Sequence, residues 1–286
     1  MTRLPIRHLH RRDSAYPALL GAIHDPPPAL FVRGSGEDAS LTRPAVAVVG
    51  ARACSAYGRS VARSLSRELA AAGLVVVSGM ARGIDSEAHR GALESGGTTV
   101  AVLGCGIDLD YPAAHAELAR RIREQGLIVS EYEPGVEPAP WRFPARNRII
   151  AGLCSATLVV EARERSGALI TADFALEEGR DVLAVPGEIT SSLSAGTNAL
   201  LRLGAVPVTC AGDVLELFDL VPAQAARPDL GTTAQAVLTL LGDSPLSADE
   251  IARAAGIEPA PLSVSLTELE LTGRITLEDG VYRAAV

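Results

Sequence analysis

Glycine-rich turns that carry arginine are the segments of this sequence with residue types suited to chemistry. They are Gly50–Gly58, Ser78–Asp85, Phe143–Arg148 and Arg165–Leu169, and a fifth turn, Gly104–Asp108, has glycines without arginine. Glycine lets the backbone approach an anion closely, and free N–H groups at the start of a helix favour negative charge. Arginine adds a rigid planar fork that grips a phosphate at two points. The pattern therefore predicts a site for phosphate groups.

Short apolar strands alternating with helices must position these turns. Continuous β-branched runs are typical of strands that are covered on both faces. They occur at Val46–Gly50, Leu74–Gly79, Thr98–Gly104, Leu127–Tyr132, Ala156–Ala162, Asp181–Gly187 and Val206–Thr209. The helices between them are predicted at Ser55–Ala72, Ser86–Ser95, Ala113–Gln125, Arg146–Leu153 and Leu169–Glu178. This alternation predicts an α/β fold with an extended Rossmann-like, doubly wound and mostly parallel sheet, whose turns meet at one edge.

The composition limits how such a site can work. All 26 basic residues are arginine, which excludes Schiff-base chemistry and any phosphate loop that needs lysine. The 34 acidic residues leave a net charge of −8, so any site for a polyanion must be local. Aromatic residues make up only 3% of the chain, too few for a long base-stacking platform.

Two less specific interpretations of the turns remain open at this point. The glycines could belong to ordinary strand-to-helix turns, with the arginines paired to carboxylates such as Asp85, Asp108 or Glu131. A dinucleotide site is disfavoured, because Arg52 stands where the fingerprint GxGxxG needs a second glycine. Ser78 and Gly79 also occupy the place of the acidic residue that would hold a ribose. We therefore expect no nucleotide cofactor, and no metal, since neither cysteine nor histidine has a ligand spacing.

The motifs together closely resemble the DprA family, also called Smf. The resemblance covers about residues 15–215 and rests on GARxxSxYG, SGMARGIDSEAH, LGCGIDLDYP, SEYEPG, FPARNRIIAGL and VVEARERSGALITADFALEEGRDVLAVPG, in the family's order. It implies a single-stranded DNA-binding protein without catalytic activity that protects incoming strands in natural transformation and loads the RecA recombinase onto them. It also implies a homodimer.

The resemblance places a DNA pocket on specific positions of this chain. These positions are Arg52, Ser78, Gly79, Arg82, Gly104, Arg146, Asn147, Arg148, Ser166 and Gly167, and Gly50, Ser55 and Gly83 join them from the same turns. Tyr57, Trp141 and Phe143 lie beside the turns and could stack on bases. For Trp141 and Phe143, a hydrophobic plug under the loop is an equally good interpretation.

An enzyme acting on free nucleotides is the alternative from a different class. Rossmann proteins that cleave nucleoside monophosphates carry PGGxGTxxE, with a glutamate beside the sugar. The corresponding region here reads RSGALITADFALEEG and has no PGG. Glu177 and Glu178 lie inside a predicted helix, which favours a solvated face over a catalytic pair.

The domain organisation changes near Asp219. We predict a lead-in packed on the core over residues 1–43, the DNA-binding domain over 44–220, a linker over 221–231 and a winged-helix domain over 232–286. From Gly231 onward the chain has three arginines and eight acidic residues. Protein contact or packing is therefore expected of the winged helix, rather than DNA binding.

The sequence also predicts a cytoplasmic protein that does not insert into membranes. No apolar run approaches the ~18 residues that span a bilayer, and the amino terminus lacks the apolar core of a signal peptide. The cysteines, at positions 54, 105, 154 and 210, form no CxxC pair and are expected to be reduced and mostly buried.

Overall fold

A computed structural model gives the structure of the chain and describes residues 4–221, 232–278 and 280–284. The chain divides into two compact units, Met1–Ala223 and Gln224–Val286. Most of the linker predicted over 221–231 lies outside the described residues.

The first unit is built on a nine-stranded sheet with the order β1-β2-β6-β5-β4-β3-β7-β8-β9. The strands from β3 to β9 pair in parallel, whereas β2 pairs antiparallel with both β1 and β6. This confirms the predicted doubly wound, mostly parallel sheet. The strands are β1 (Arg7–His10), β2 (Ala29–Arg33), β3 (Ala45–Val49), β4 (Val75–Ser78), β5 (Thr99–Val102), β6 (Leu127–Ser130), β7 (Ala156–Val159), β8 (Asp181–Ala184) and β9 (Val206–Pro207).

Helices cover both faces of this sheet. One face packs against α5 and α6, and the other against α2, α3 and α8. The strands β3 to β7 are buried throughout, as their continuous apolar runs predict. The helices are α1 (Ala18–Gly21), α2 (Ala56–Ala71), α3 (Ile84–Glu94), α4 (Ala116–Gln125), α5 (Arg142–Gly152), α6 (Gly167–Glu177), α7 (Ala195–Arg202) and α8 (Ala211–Leu215).

The amino-terminal segment contributes two strands that the sequence did not predict. In β2, buried and half-buried residues alternate over Ala29–Arg33, whereas the parallel strands β3 to β7 are buried at every residue. Between β1 and β2 the chain contacts the segment that links α6 to β8. The His24 N–H donates to Glu178 Oε1 at 2.8 Å, and Arg180 Nη2 donates to the Leu19 carbonyl at 3.2 Å. The segment therefore spans the unit from β6 to the end of α6.

Helix α5 begins four residues earlier than predicted. The sequence predicted a turn over Phe143–Arg148 that precedes the helix, and this is wrong, since α5 starts at Arg142. Pro144 is the third residue of α5, where its missing N–H costs little because the first four N–H groups of a helix have no helical acceptor. Arg146, Asn147 and Arg148 consequently lie on a helix, whose geometry separates Arg146 from Arg148 by about 200°.

The second unit has the winged-helix arrangement. Its elements are α9 (Thr232–Asp243), α10 (Ala248–Ala255), α11 (Pro259–Leu271), β10 (Ile275–Glu278) and β11 (Val281–Ala284). The two strands form an antiparallel ribbon around Gly280, and Val237, Ile251 and Leu266 lie in a small apolar core. No helix among the residues described in either unit is long and apolar enough to cross a membrane.

Candidate nucleic-acid interface

The site is built where the strand order of the sheet reverses. Strands β4 and β7 flank β3, so the turns that follow β3 and β7 lead to helices on opposite faces and leave a crevice between them. The two turns are joined at their base, where the Ala51 N–H donates to the Glu161 carbonyl at 2.7 Å. Arg52 and Arg163 follow directly on the two sides of this crevice.

A first cavity of about 340 Å³ occupies this crevice. The start of α6 opens onto it, and Ser166 caps that helix by accepting the Ala168 N–H at 3.3 Å. Free N–H groups in the first turn of a helix make this wall attractive to anions. The lining includes Gly50, Arg52, Asp85, Phe143, Arg146, Asn147, Arg163, Arg165, Ser166, Gly167 and Thr171.

A second cavity of about 440 Å³ lies at the carboxyl ends of β4 and β5. It shares Arg52, Phe143 and Arg146 with the first cavity, so the two form one continuous depression. Its lining includes Arg52, Gly79, Met80, Arg82, Leu103, Gly104, Cys105, Tyr111, Phe143 and Arg146.

Arginines on the rim of this depression keep their charges available. Arg52, Arg82 and Arg165 are exposed, and no carboxylate in the described part of the chain lies within ion-pair distance of them. Arg163, also exposed, donates to the Ser192 hydroxyl at 2.9 Å. An exposed guanidinium without a protein carboxylate can form two-point contacts with a phosphate.

Arg146 has a different role from the rim arginines. It is only 4% exposed, and its guanidinium donates to the Gly79 carbonyl at 2.8 Å and to the Val102 carbonyl. It therefore joins the ends of β4 and β5 under the floor of the cavities. Burial lowers the pKa of Arg146 to about 10, so the group remains a cation at neutral pH.

Asp85 is the acidic residue that faces this buried cation. A Cβ placed on Gly79 would stand 2.6 Å from Arg146 Nη2 and 2.8 Å from Asp85 Oδ2, so the two charged groups flank the glycine. Burial raises the pKa of Asp85, and the charge of Arg146 opposes that rise. Gly79 is thus needed because these two side chains occupy the space that a larger residue would fill.

Arg148 lies on the other side of α5 and does not line either cavity. Its guanidinium binds Glu131 at 2.7 and 2.9 Å and Asp25 at 3.0 Å. The interpretation in which arginines pair with carboxylates, named for Glu131 among others, therefore describes Arg148. The predicted contact of Arg148 with DNA would require this paired and mostly buried group to open.

Three further predicted positions support the turns without lining the cavities. Ser55 caps α2 by accepting the Gly58 N–H at 2.9 Å, and it donates to the buried Glu161 carboxylate at 2.5 Å. Ser78 is buried and donates to the Val48 carbonyl at 2.6 Å. Gly83 precedes α3 with φ of 80°, and a Cβ there would stand 2.3 Å from the Ala51 carbonyl oxygen. These residues hold the loops that carry Arg52 and Arg82.

Aromatic rings form part of the wall between the cavities. The rings of Phe143 and Tyr111 stack with their centroids 5.4 Å apart, and the Arg52 guanidinium lies 5.7 Å from the Phe143 centroid. Trp141 is 63% exposed, which excludes its role as a plug, and Tyr57 is also exposed on α2. A base entering the second cavity would meet the Tyr111–Phe143 pair.

The sequence missed several residues that the fold brings to the cavities. Arg163, Arg165, Asp85 and Tyr111 were not among the predicted site residues, although all four lie within motifs already identified. Proximity to a predicted turn was the signal that could have found them. The predicted positions that do line the cavities are Gly50, Arg52, Gly79, Arg82, Gly104, Arg146, Asn147, Ser166 and Gly167.

Comparison with known proteins shows the family. Residues 7–219 match the family described as DNA recombination-mediator protein A, and residues 221–280 match the DprA winged helix domain. The chain is 48% identical to the DNA processing protein DprA of Streptococcus pneumoniae over 211 residues, which cover 72% of each chain.

Solved structures agree with this match. The X-ray structure of DprA from Streptococcus pneumoniae aligns with a TM-score of 0.71 at 47% identity and covers 74% of both chains. A structure of DNA processing protein A from Helicobacter pylori aligns with a TM-score of 0.68 at 29% identity, covering 77% of this chain and 100% of that one. Together with the sequence matches over both units, these similarities show that the chain belongs to the DprA/Smf family.

Proposed function

We propose that this chain binds single-stranded DNA along the two joined cavities and delivers the strand to the RecA recombinase in the cytoplasm, without covalent chemistry of its own. The observation that carries this proposal is the set of exposed arginines, Arg52, Arg82, Arg163 and Arg165, around one depression at the edge of the sheet. The start of α6 adds backbone N–H groups to the same depression.

This arrangement suits a flexible polyanion better than a small nucleotide. The arginines are distributed over two cavities rather than focused on one pyrophosphate, so successive phosphates of a strand could each find a guanidinium. Arginines that bind phosphates make no contact with the base edges, so they would bind a strand without sequence preference. The net charge of −8 disfavours non-specific attachment of DNA to the rest of the surface. The relative from Helicobacter pylori is described for its single-stranded DNA binding mode, and this supports the proposal.

A titration of the full chain with fluorescent dT12, followed by anisotropy at several salt concentrations, tests DNA binding. We expect affinity to fall steeply with salt, because phosphate contacts release counterions. Arg52→Ala should weaken binding and reduce the magnitude of the logarithmic salt slope by about 0.7. Arg67→Ala is the matched control, since Arg67 is exposed on α2 and lines neither cavity. A dissociation constant above about 100 μM at low salt, or a flat salt response, would refute the proposal.

The geometry also favours a role without catalysis. The acidic residue in the cavity lining, Asp85, is buried against Arg146 rather than exposed beside a sugar site. Glu178 is engaged at the end of α6 by the His24 N–H. Incubation with AMP or GMP, followed by chromatography, should release no free base, and sustained release would instead support a nucleotide hydrolase.

Delivery to RecA and dimer formation are the remaining parts of the proposal. The description of the matched family as a recombination mediator supports delivery, which RecA-dependent ATP hydrolysis on protein-coated single strands would measure. Exposed apolar side chains on the β8 to β9 side of the unit support a dimer, since Ile189 is 96% exposed and Leu203 is 84% exposed. Leu203→Glu should then convert a dimer to a monomer in sedimentation experiments.

A further inference from the structure

An aromatic and arginine stack lies just outside the cavities. The Arg142 guanidinium carbon is 5.0 Å from the Tyr132 ring centroid and 4.9 Å from the Trp141 ring. Arg142 also donates to the Glu137 carbonyl, but no described carboxylate pairs with its charge. The guanidinium is thus held in place by two rings and a carbonyl while its charge is not neutralised.

Trp141 leaves most of its surface to solvent, being 63% exposed. An indole presents a large aromatic face, on which a flat ring can stack. Its contact with Arg142, at 4.9 Å from the guanidinium carbon to the ring centroid, favours one orientation of the ring and so reduces the side-chain freedom lost on binding. The exposed indole is therefore prepared for a flat ligand.

The stack is continuous with the wall of the second cavity. Trp141 and Arg142 immediately precede Phe143, which lines both cavities. The Arg142 carbonyl oxygen lies 3.3 Å from the position of a Cβ on Gly104, another residue of the second cavity. A strand that leaves the second cavity past Phe143 would reach Trp141 next.

We propose that Trp141, supported by Arg142, is a separate nucleobase-stacking site for a nucleotide outside the two cavities. The inference rests on the proposed binding of single-stranded DNA and extends it by one subsite. Stacking on an aromatic ring accepts every base, so the site adds affinity without sequence preference. The cation of Arg142 adds attraction for the strand's phosphates beside the stacked base.

The experiment uses the fact that Trp141 is the only tryptophan in the chain. Its intrinsic emission is recorded while dT12 is added to the 286-residue chain, and anisotropy of labelled dT12 is measured in parallel. We expect emission to be quenched with the same midpoint as the anisotropy change. Trp141→Ala should weaken dT12 binding by about fivefold or more, with the salt slope unchanged, because a stacking contact rather than a phosphate contact is lost.

Two controls separate stacking from other effects. Trp141→Phe keeps a ring and should retain most of the affinity for dT12. A 12-mer of abasic sugar phosphates should bind the wild-type protein and Trp141→Ala equally, because it offers no base to stack.

The outcomes distinguish this inference from the function on which it rests. If dT12 binds with unchanged emission, or if Trp141→Ala binds dT12 as well as the wild type, the stacking site is refuted and binding in the cavities stands. If the wild-type protein fails to bind dT12 at all, both the stacking site and the proposed function are refuted.

Discussion

Arg146 and Arg82 both line the second cavity, yet the structure predicts that replacing them by methionine affects different properties. Arg146→Met should lower the stability of the first unit, and Arg82→Met should weaken DNA binding. Arg146 is buried and donates to two buried carbonyls, those of Gly79 and Val102. Leaving a buried acceptor without its donor costs about 1–3 kcal/mol, so the loss of both contacts should cost roughly 2–6 kcal/mol. We therefore expect Arg146→Met to destabilise the first unit by about that amount.

Arg82 is exposed and has no carboxylate partner in the described ranges, so Arg82→Met should change stability by less than about 0.5 kcal/mol. Its effect should appear in binding. Losing one phosphate contact would reduce the magnitude of the logarithmic salt slope for single-stranded DNA by about 0.7. The two variants thus separate a residue that supports the loops from one that grips the strand.

Urea unfolding at pH 7, followed by far-ultraviolet circular dichroism, measures the stability change. The first unit holds the nine-stranded sheet and α1 to α8, so its unfolding dominates this signal. Anisotropy with dT12 at several salt concentrations measures binding. If Arg146→Met unfolds within 1 kcal/mol of the wild type, or Arg82→Met loses more than about 2 kcal/mol, the distinction between the two arginines is refuted.

Three other perturbations test the cap of α2, the buried His89 and the contribution of the second unit to DNA binding. Ser55→Ala should cost about 2–3 kcal/mol, because α2 loses its cap and the buried Glu161 carboxylate loses a donor; Ser64→Ala on the same helix should cost under about 0.5 kcal/mol in urea unfolding. Burial lowers the pKa of His89 to about 3, so below pH 6.5 the unfolded chain binds one more proton than the folded chain. The free energy of unfolding therefore decreases as the pH is lowered from 6.5 towards 3. His89→Gln should reduce this decrease by about 1.4 kcal/mol per pH unit, as measured by unfolding at pH 5 and pH 6. Deleting residues 231–286 should leave affinity for dT12 within about threefold, and a loss above tenfold would show that the acidic winged helix contributes to DNA binding.

The parallel core of the fold could be predicted because its strands are continuous apolar runs separated by glycine turns. Strand β2 was missed although Ala29–Val32 is a run of four apolar residues, because the prolines at positions 26–28 directly precede it and indicate a loop. Strand β1 was missed because Arg7–His10 has a single apolar residue, and it pairs with β2, which in turn pairs with β6. The pairing of β2 with β6, which lies far away in the sequence, cannot be predicted from the residues of β2 alone.

The arginines show where sequence reasoning about the site reached its limit. Residue type placed Arg146 and Arg148 together, but the start of α5 determines which way each one points. One supports the cavity floor, and the other pairs with Glu131 and Asp25. The exposed Arg52 and Arg82 lie at the sheet edge where the sequence places them, because they are on turns after β3 and β4 rather than on a helix.

The reach of the amino-terminal segment has a consequence for biosynthesis. Leu19 and His24 leave the ribosome early, but their partners Arg180 and Glu178 follow 161 and 154 residues later. The first unit therefore cannot close around its core while the chain is still short, and contacts of such long range slow folding. In a nascent chain that stops before Glu178, Leu19 and His24 would lack these two contacts, and the segment around α1 would be accessible to chaperones and proteases.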